Sequence, residues 1–346
     1  MFIVLTLICN FVANDMNMEK NKFIILPLIS LLFLVFASCK QKYFYTVGET
    51  WGTSYHIAYS GETNLDDSIA CELARIDSIF SIFNPSSEVC AINNNTRFVV
   101  SGDFAELFDY ARHAWRISGG AFDPTVAPVA ELWGFGAWSN EVVPDSTAVA
   151  AALTTVGMGD CTIDTESSIH KKNPSTRFDF SALAKGYGVD CVARMLKRNK
   201  CRNFMVEIGG EVIVMGENQQ GRPWRIQVDS PDSGLTGHNA LLVIEMGPEQ
   251  QAIASSGNYR NYRVDSLGNI YGHTIDPHCG YPVQTSTLAA SVLAPLCIEA
   301  DAMATACMVM EPAAALNMLE SEGLEGLLVV AQGDSIVVNR TPGFPQ

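Results

Sequence analysis

Asp301 and Thr305 place a carboxylate and a hydroxyl four residues apart in a stretch that reads as a helix. On a helix this spacing puts both on one face, about 6 Å apart at Cβ, where both can touch one small hard cation. The same pair also fits an N-terminal helical aspartate beside an ordinary core threonine, and spacing leaves both readings open. His273 is a second group with chemistry to offer. Its imidazole titrates near neutrality and can take a proton from an attacking hydroxyl, or it can simply fix the loop before Asp276 and Pro277. The third feature is the run D-F-S-A-L-A-K-G-Y-G-V-D over 179–190, read as a buried strand end entering a helix through small residues. A helix start offers unpaired N–H groups and the positive end of its dipole to an anion. Lys185 adds a mobile positive charge, unless it is merely solvated.

The elements that must position these groups are legible in outline. Leu65, Ile69, Leu73, Ile76, Phe80 and Phe83 step by three or four residues, which predicts an amphipathic helix ended by the Asn84–Pro85 turn. Further helices are predicted over 103–117, 147–156, 299–310 and 312–320, and strand-like alternation runs over 51–59. From 204 onward strands dominate, at 204–208, 211–215, 224–228, 241–246, 252–255, 288–293, 327–330 and 335–338. Antiparallel-looking strands mixed with helices predict an α+β fold and not a doubly wound sheet. Glu207 with Gly209 and Gly210 reads as a tight strand reversal. Between 120 and 140 an irregular stretch carries Phe122, Trp133, Phe135 and Trp138, and such loops are commonly ligand walls or subdomain packing.

Five segments recur in a telling order: A-F-D-P-T-V-A-P over 121–128, the 179–190 run, S-S-G-N-Y-R over 255–260, H-T-I-D-P over 273–277 and D-A-M-A-T over 301–305. Their wording, order and spacing resemble the ApbE-like family of FAD:protein FMN transferases, over nearly the whole chain from about Thr50. The resemblance implies a T-fold-like architecture with a mixed, largely antiparallel sheet core, flanking helices and an intimate second subdomain. It implies Mg²⁺ held by Asp301, Thr305 and the Ala182 carbonyl, with FAD as substrate. FAD contacts fall on Ala121, Phe122, Asp123, Asp179, Lys185 and Ile275, and on Trp51 and Phe83, which stand where the family commonly has methionine and tyrosine. Cys279 replaces a usual threonine. Asp301 and His273 become the catalytic pair, with His273 activating a target hydroxyl. The implied reaction moves FMN from FAD to a threonine or serine hydroxyl of an exported protein, such as an Nqr- or Rnf-type redox pump subunit, and releases AMP. Two alternatives are an FAD pyrophosphatase using water and a non-catalytic flavin-binding lipoprotein.

The N-terminal segment reads as a targeting signal. Residues 23–37 are almost wholly apolar, preceded by Lys20 and Lys22 and followed by Ser38 and Cys39. This is the layout of a secretory signal, and about 15 apolar residues fall short of the ~20 that a spanning helix needs. The cysteine resembles a bacterial lipoprotein site, so residues 1–38 are expected to be signal, with Met16 or Met18 as the start. Residues 39–49 are expected to be a tether and 50–346 the catalytic domain, lipid-anchored through Cys39 on the periplasmic face of the inner membrane. Formal net charge is −15 and the isoelectric point near 4.8, which argues against a nucleic-acid partner. An acidic chain that binds a pyrophosphate must neutralise it locally, which favours a divalent cation. Of ten cysteines, Cys9 precedes the expected start and Cys39 is the expected lipid site; the other eight show no C-x-x-C pairing, and several read as core hydrophobes. The motifs of nicotinamide dehydrogenases, P-loop enzymes and serine hydrolases are missing from the sequence.

Overall fold

The computed structural model describes residues 42–136, 143–231, 239–258, 262–264, 270–333 and 335–346. The expected signal and Cys39, Trp138, and Tyr259 and Arg260 of the third motif lie outside the described residues. From Tyr43 to Gln346 the chain is one compact unit. Among the described residues no helix is long and apolar enough to cross a membrane.

Fourteen strands are described: β1 Tyr43–Thr50, β2 Thr53–Ser60, β3 Cys161–Ile163, β4 Ile169–Lys171, β5 Phe204–Ile208, β6 Glu211–Met215 and β7 Trp224–Asp229. They continue with β8 Ala240–Met246, β9 Gln251–Gly257, β10 Tyr262–Val264, β11 Ile270–Gly272, β12 Thr287–Ala294, β13 Glu325–Gln332 and β14 Ser335–Arg340. Eight form the central sheet in the order β1-β2-β5-β6-β9-β12-β13-β14, and every ladder in it is antiparallel. The fold is therefore α+β. The expected tether over 39–49 needs correction: from Tyr43 it is β1, paired residue for residue with β2 through a two-residue turn at Trp51 and Gly52. Its alternation is too weakly apolar to reveal it, since β1 is an edge strand with Tyr45 and Val47 exposed.

Period-two alternation assigns each strand residue to a face. Ile57, Val206, Ile208, Ile213 and Ala252 face one layer together with Val189, Val192 and Leu196 of the Ala184–Arg198 helix. Ala254, Ala290 and Val292 continue that face beneath the Cys297–Val309 helix. Their neighbours Val212, Val214, Ile253 and Leu293 face the opposite side, where the β7–β8 hairpin covers them with Trp224, Ile226 and Ile244. The Asp66–Phe80 and Gly102–Ile117 helices close the helical layer, where Phe80, Phe104, Phe178 and Phe180 meet at ring-centroid separations of 5.4–6.4 Å. A satellite core of Val129, Trp133, Val149 and Ile275 holds the Ala127–Leu132 and Ser146–Leu153 helices. Five cysteines (161, 191, 201, 297 and 307) are buried free thiols, in keeping with their reading as small hydrophobes.

Candidate active site

The site is built where the Ala184–Arg198 and Cys297–Val309 helices lie side by side on the sheet. The expected strand before the first helix is instead irregular chain, in which Asp179 Oδ1 accepts hydrogen bonds from Ser181 N (2.9 Å) and Ser181 Oγ (2.5 Å). This local turn competes with strand pairing, and the buried Phe178 and Phe180 point into the aromatic core.

Asp301 is buried and its Oδ2 accepts the Gly186 N–H at 2.9 Å. The anion at this helix start is thus the protein's own carboxylate. A side chain at position 186 is impossible without movement, because its Cβ would lie 2.5 Å from the Cys297 carbonyl oxygen and 2.9 Å from Asp301 Cβ. Tyr187 N–H closes on Leu183 O, so the Ala182 carbonyl stands just outside the helical ladder. One turn after Asp301, Thr305 Oγ1 lies 3.3 Å from Ser256 Oγ on β9.

Lys185 does not extend freely as expected; its Nζ is 2.5 Å from Glu211 Oε1, at the start of β6. Burial works against the ammonium, but Glu211 and then Asp301 outweigh it and raise its pKa. Burial likewise pushes Glu211 and Asp301 well above the ordinary carboxylate range, with Lys185 opposing in both. Two buried carboxylates face one ammonium, so the second needs a proton or a cation to offset it.

The remaining predicted residues ring this centre. Asp179 N–H donates to Pro124 O at 2.8 Å, which stitches the first motif to the second. Ala121, Phe122 and Asp123 are buried. Both Asp123 oxygens are engaged within the protein, Oδ1 by Thr125 N and Oγ1 and Oδ2 by Met158 N. Trp51 adopts φ 51° in the β1–β2 turn and lays its ring against Gly188, where any Cβ would come within 2.3 Å of it. Its indole Nε1 is buried with no hydrogen-bond partner among the described residues. Phe83 is 70 % exposed beyond the Asp66–Phe80 helix. His273 follows β11, its ring edge-on to Phe135 at 6.4 Å. Thr274 donates through N and Oγ1 to Asn258 Oδ1, so the end of β9 touches the Thr305 side through Ser256 and the His273 side through Asn258. Ile275 is buried in the satellite core.

Comparison with known proteins decides the family. A family model described as the ApbE family matches residues 51–328. The chain belongs to the ApbE family. The FAD:protein FMN transferase of Haemophilus influenzae is 33 % identical over 328 residues, covering 90 % of this chain and 94 % of the relative. The flavin transferase ApbE of Vibrio cholerae superposes with a TM-score of 0.79 at 31 % identity, over 88 % of this chain and 98 % of that one. Pseudomonas stutzeri flavinyl transferase ApbE, in its apo form, gives 0.77 at 29 % identity, over 87 % and 95 %.

This ApbE family member also holds contacts around the site beyond those its motifs suggest. Glu211 is a charged residue opening an otherwise apolar strand, directly after the Gly209–Gly210 turn, which was the available signal. Asp190 accepts the Cys297 and Ile298 N–H groups and so caps the helix that carries Asp301. His278 bridges Asp276 Oδ1 (2.9 Å) and the Gly119 carbonyl (3.0 Å), which together with Asp276 raises its pKa. Glu207 serves the strand reversal, its Oε1 accepting the Gly210 N–H at 2.7 Å. Among the described residues no three His, Cys, Asp or Glu side chains gather as a metal cluster. A cation here would rest on the Asp301 carboxylate, the Thr305 hydroxyl and the Ala182 carbonyl, an all-oxygen set of the kind Mg²⁺ takes. A divalent cation would replace the proton that burial otherwise favours on this carboxylate pair.

Proposed function

We propose that this chain transfers the FMN moiety of FAD to a threonine or serine hydroxyl of an exported protein, with release of AMP. The observation that supports this best is the buried Asp301, fixed by Gly186 N–H beside the Lys185–Glu211 pair within an ApbE family chain. The target hydroxyl oxygen attacks the phosphorus on the FMN side of the pyrophosphate. A new P–O bond forms, the bridging P–O bond breaks, and AMP carries away the bridging oxygen. His273 takes the hydroxyl proton as general base. Mg²⁺ on Asp301, Thr305 and the Ala182 carbonyl would supply charge neutralisation for the phosphoryl oxygens. Lys185 contributes fixed positive charge beside them. Trp51 and Phe83 would present flat apolar faces to the flavin. The apolar 23–37 segment and Cys39 support an inner-membrane lipoprotein facing the periplasm, and exported Nqr- or Rnf-type subunits are the targets such a location suits.

Incubating the full chain with FAD, MgCl₂ and a candidate target, then weighing the target, tests this. The expected result is a mass gain of FMN less water, matched one to one by AMP. AMP without a heavier target would leave a hydrolase, and neither product would overturn the reading.

A further inference from the structure

Glu211 is buried to a degree that ordinary surface ion pairs never reach. Its side chain is 3 % exposed, whereas Lys185 keeps 33 % of its side chain open. The backbone that carries Glu211 is fixed. The Gly209–Gly210 turn has both φ values positive, Ile208 pairs with Glu211 across it, and Glu207 Oε1 holds the Gly210 N–H. Strand alternation then aims Glu211, like Ile213, into the helical layer.

Lys185 has a reason to need this partner. It occupies the first turn of a helix, where the dipole disfavours a cation and no acidic residue of that turn offsets it. Glu211 Oε1 is the group that holds it there. The second oxygen, Oε2, is buried and has no hydrogen-bond partner among the described residues. A buried pair kept for stability alone would be expected to satisfy both carboxylate oxygens.

We propose that Glu211 is a positioning residue of the flavin-transfer site, holding the Lys185 ammonium at its mouth so that it meets the pyrophosphate of FAD. This rests on the flavin-transfer reading. Glu211 itself touches no phosphate; it acts through Lys185.

The test is a double-mutant cycle on the full chain, read as FAD affinity from flavin fluorescence in MgCl₂. Glu211→Gln should weaken FAD binding about tenfold, the worth of one charge-assisted hydrogen bond, and Lys185→Met should do at least as much. The double variant should bind no more weakly than Lys185→Met alone, because Glu211 then has nothing left to position. Glu211→Asp, which keeps the charge, should recover part of the loss, and it replaces Glu211→Gln in the cycle if that variant fails to fold. Losses that multiply in the double variant, or full FAD affinity in Glu211→Gln, overturn the Glu211 assignment while leaving the flavin-transfer reading intact. A wild-type chain that binds no FAD overturns both.

Discussion

Asp190 and Asp301 lock the same two helices from opposite sides. Asp190, on the Ala184–Arg198 helix, accepts the N–H groups of Cys297 (3.0 Å) and Ile298 (2.9 Å) at the start of the other helix. Asp301, four residues beyond Cys297, accepts the N–H of Gly186, four residues before Asp190. Each carboxylate satisfies amides that a helix start leaves unpaired. The consequence is that the proposed metal ligand and Lys185 are held in one rigid frame, which is what catalysis by positioning requires.

Gly186 should be intolerant of alanine. Helix propensity alone favours alanine over glycine by about 1 kcal/mol. Against this, a Cβ would sit 2.5 Å from a backbone carbonyl that cannot swing aside. Overpacking typically costs about 1–3 kcal/mol, and spreading the helices also breaks the Asp301 bond. Urea unfolding of Gly186→Ala should show a net loss of stability, with FAD turnover falling alongside. A more stable variant would mean that the two helices are less tightly joined than their contact implies.

The Asp190 carboxyl makes stability fall as pH rises. Burial pushes its pKa up to about 7, with the Cys297 and Ile298 amides opposing. The folded protein therefore binds a proton that the unfolded chain releases near pH 4. The stabilisation is complete below that point and is lost as pH climbs through about 7. Between pH 5 and 7.5 this one group should remove about 2 kcal/mol. Asp190→Asn keeps an acceptor but cannot ionise, so its unfolding free energy should change less over that interval. Identical pH profiles for variant and wild type would refute the assignment.

Asp301→Ala should abolish most FAD turnover without unfolding the protein. The Lys185–Glu211 pair remains and one buried negative charge is removed, so the fold keeps its other supports. Losing a metal ligand forfeits several kcal/mol of transition-state stabilisation, or at least about 100-fold in rate. EDTA should silence the wild type to a similar degree, and activity unchanged by either treatment would exclude the metal role.

The central strands and long helices were legible because their apolar residues either alternate inward, as in β5, or run on where both faces are covered, as in β12 and β13. β5, for example, matches its expected bounds at Phe204 and Ile208 because Phe204, Val206 and Ile208 alternate inward. β1 was missed since an edge strand with Tyr45 and Val47 in solvent carries no such pattern. The segment before Ala184 is not the expected strand end, because Asp179 turns the chain locally and Phe178 and Phe180 pack face to face in an aromatic cluster. Within the site, Asp301, Thr305 and Lys185 could be named from their motifs, and the structure adds what each one touches. The Lys185–Glu211 pair and the Asp190 cap join residues 26 and more than 100 positions apart. No local spacing reveals such a contact; only the antiparallel sheet and the paired helices create it.

His273 separates transfer from hydrolysis. Both reactions need the buried carboxylate centre, but only transfer needs a base directed at a side-chain hydroxyl arriving from another protein. A water molecule is small enough to be positioned by a bound cation, whose charge also lowers its pKa. His273 stands outside the helix pair, after β11, with its ring edge-on to Phe135 and its neighbour Thr274 tied to Asn258. His273→Ala should therefore depress FMN transfer by about 10²–10⁴-fold, the usual loss of a general base. Residual FAD hydrolysis and FAD affinity should fall far less. AMP release and target mass, measured on the same samples, read the two reactions separately. Equal loss of both would assign His273 to the flavin or metal site, and undiminished transfer would leave it a loop-fixing residue.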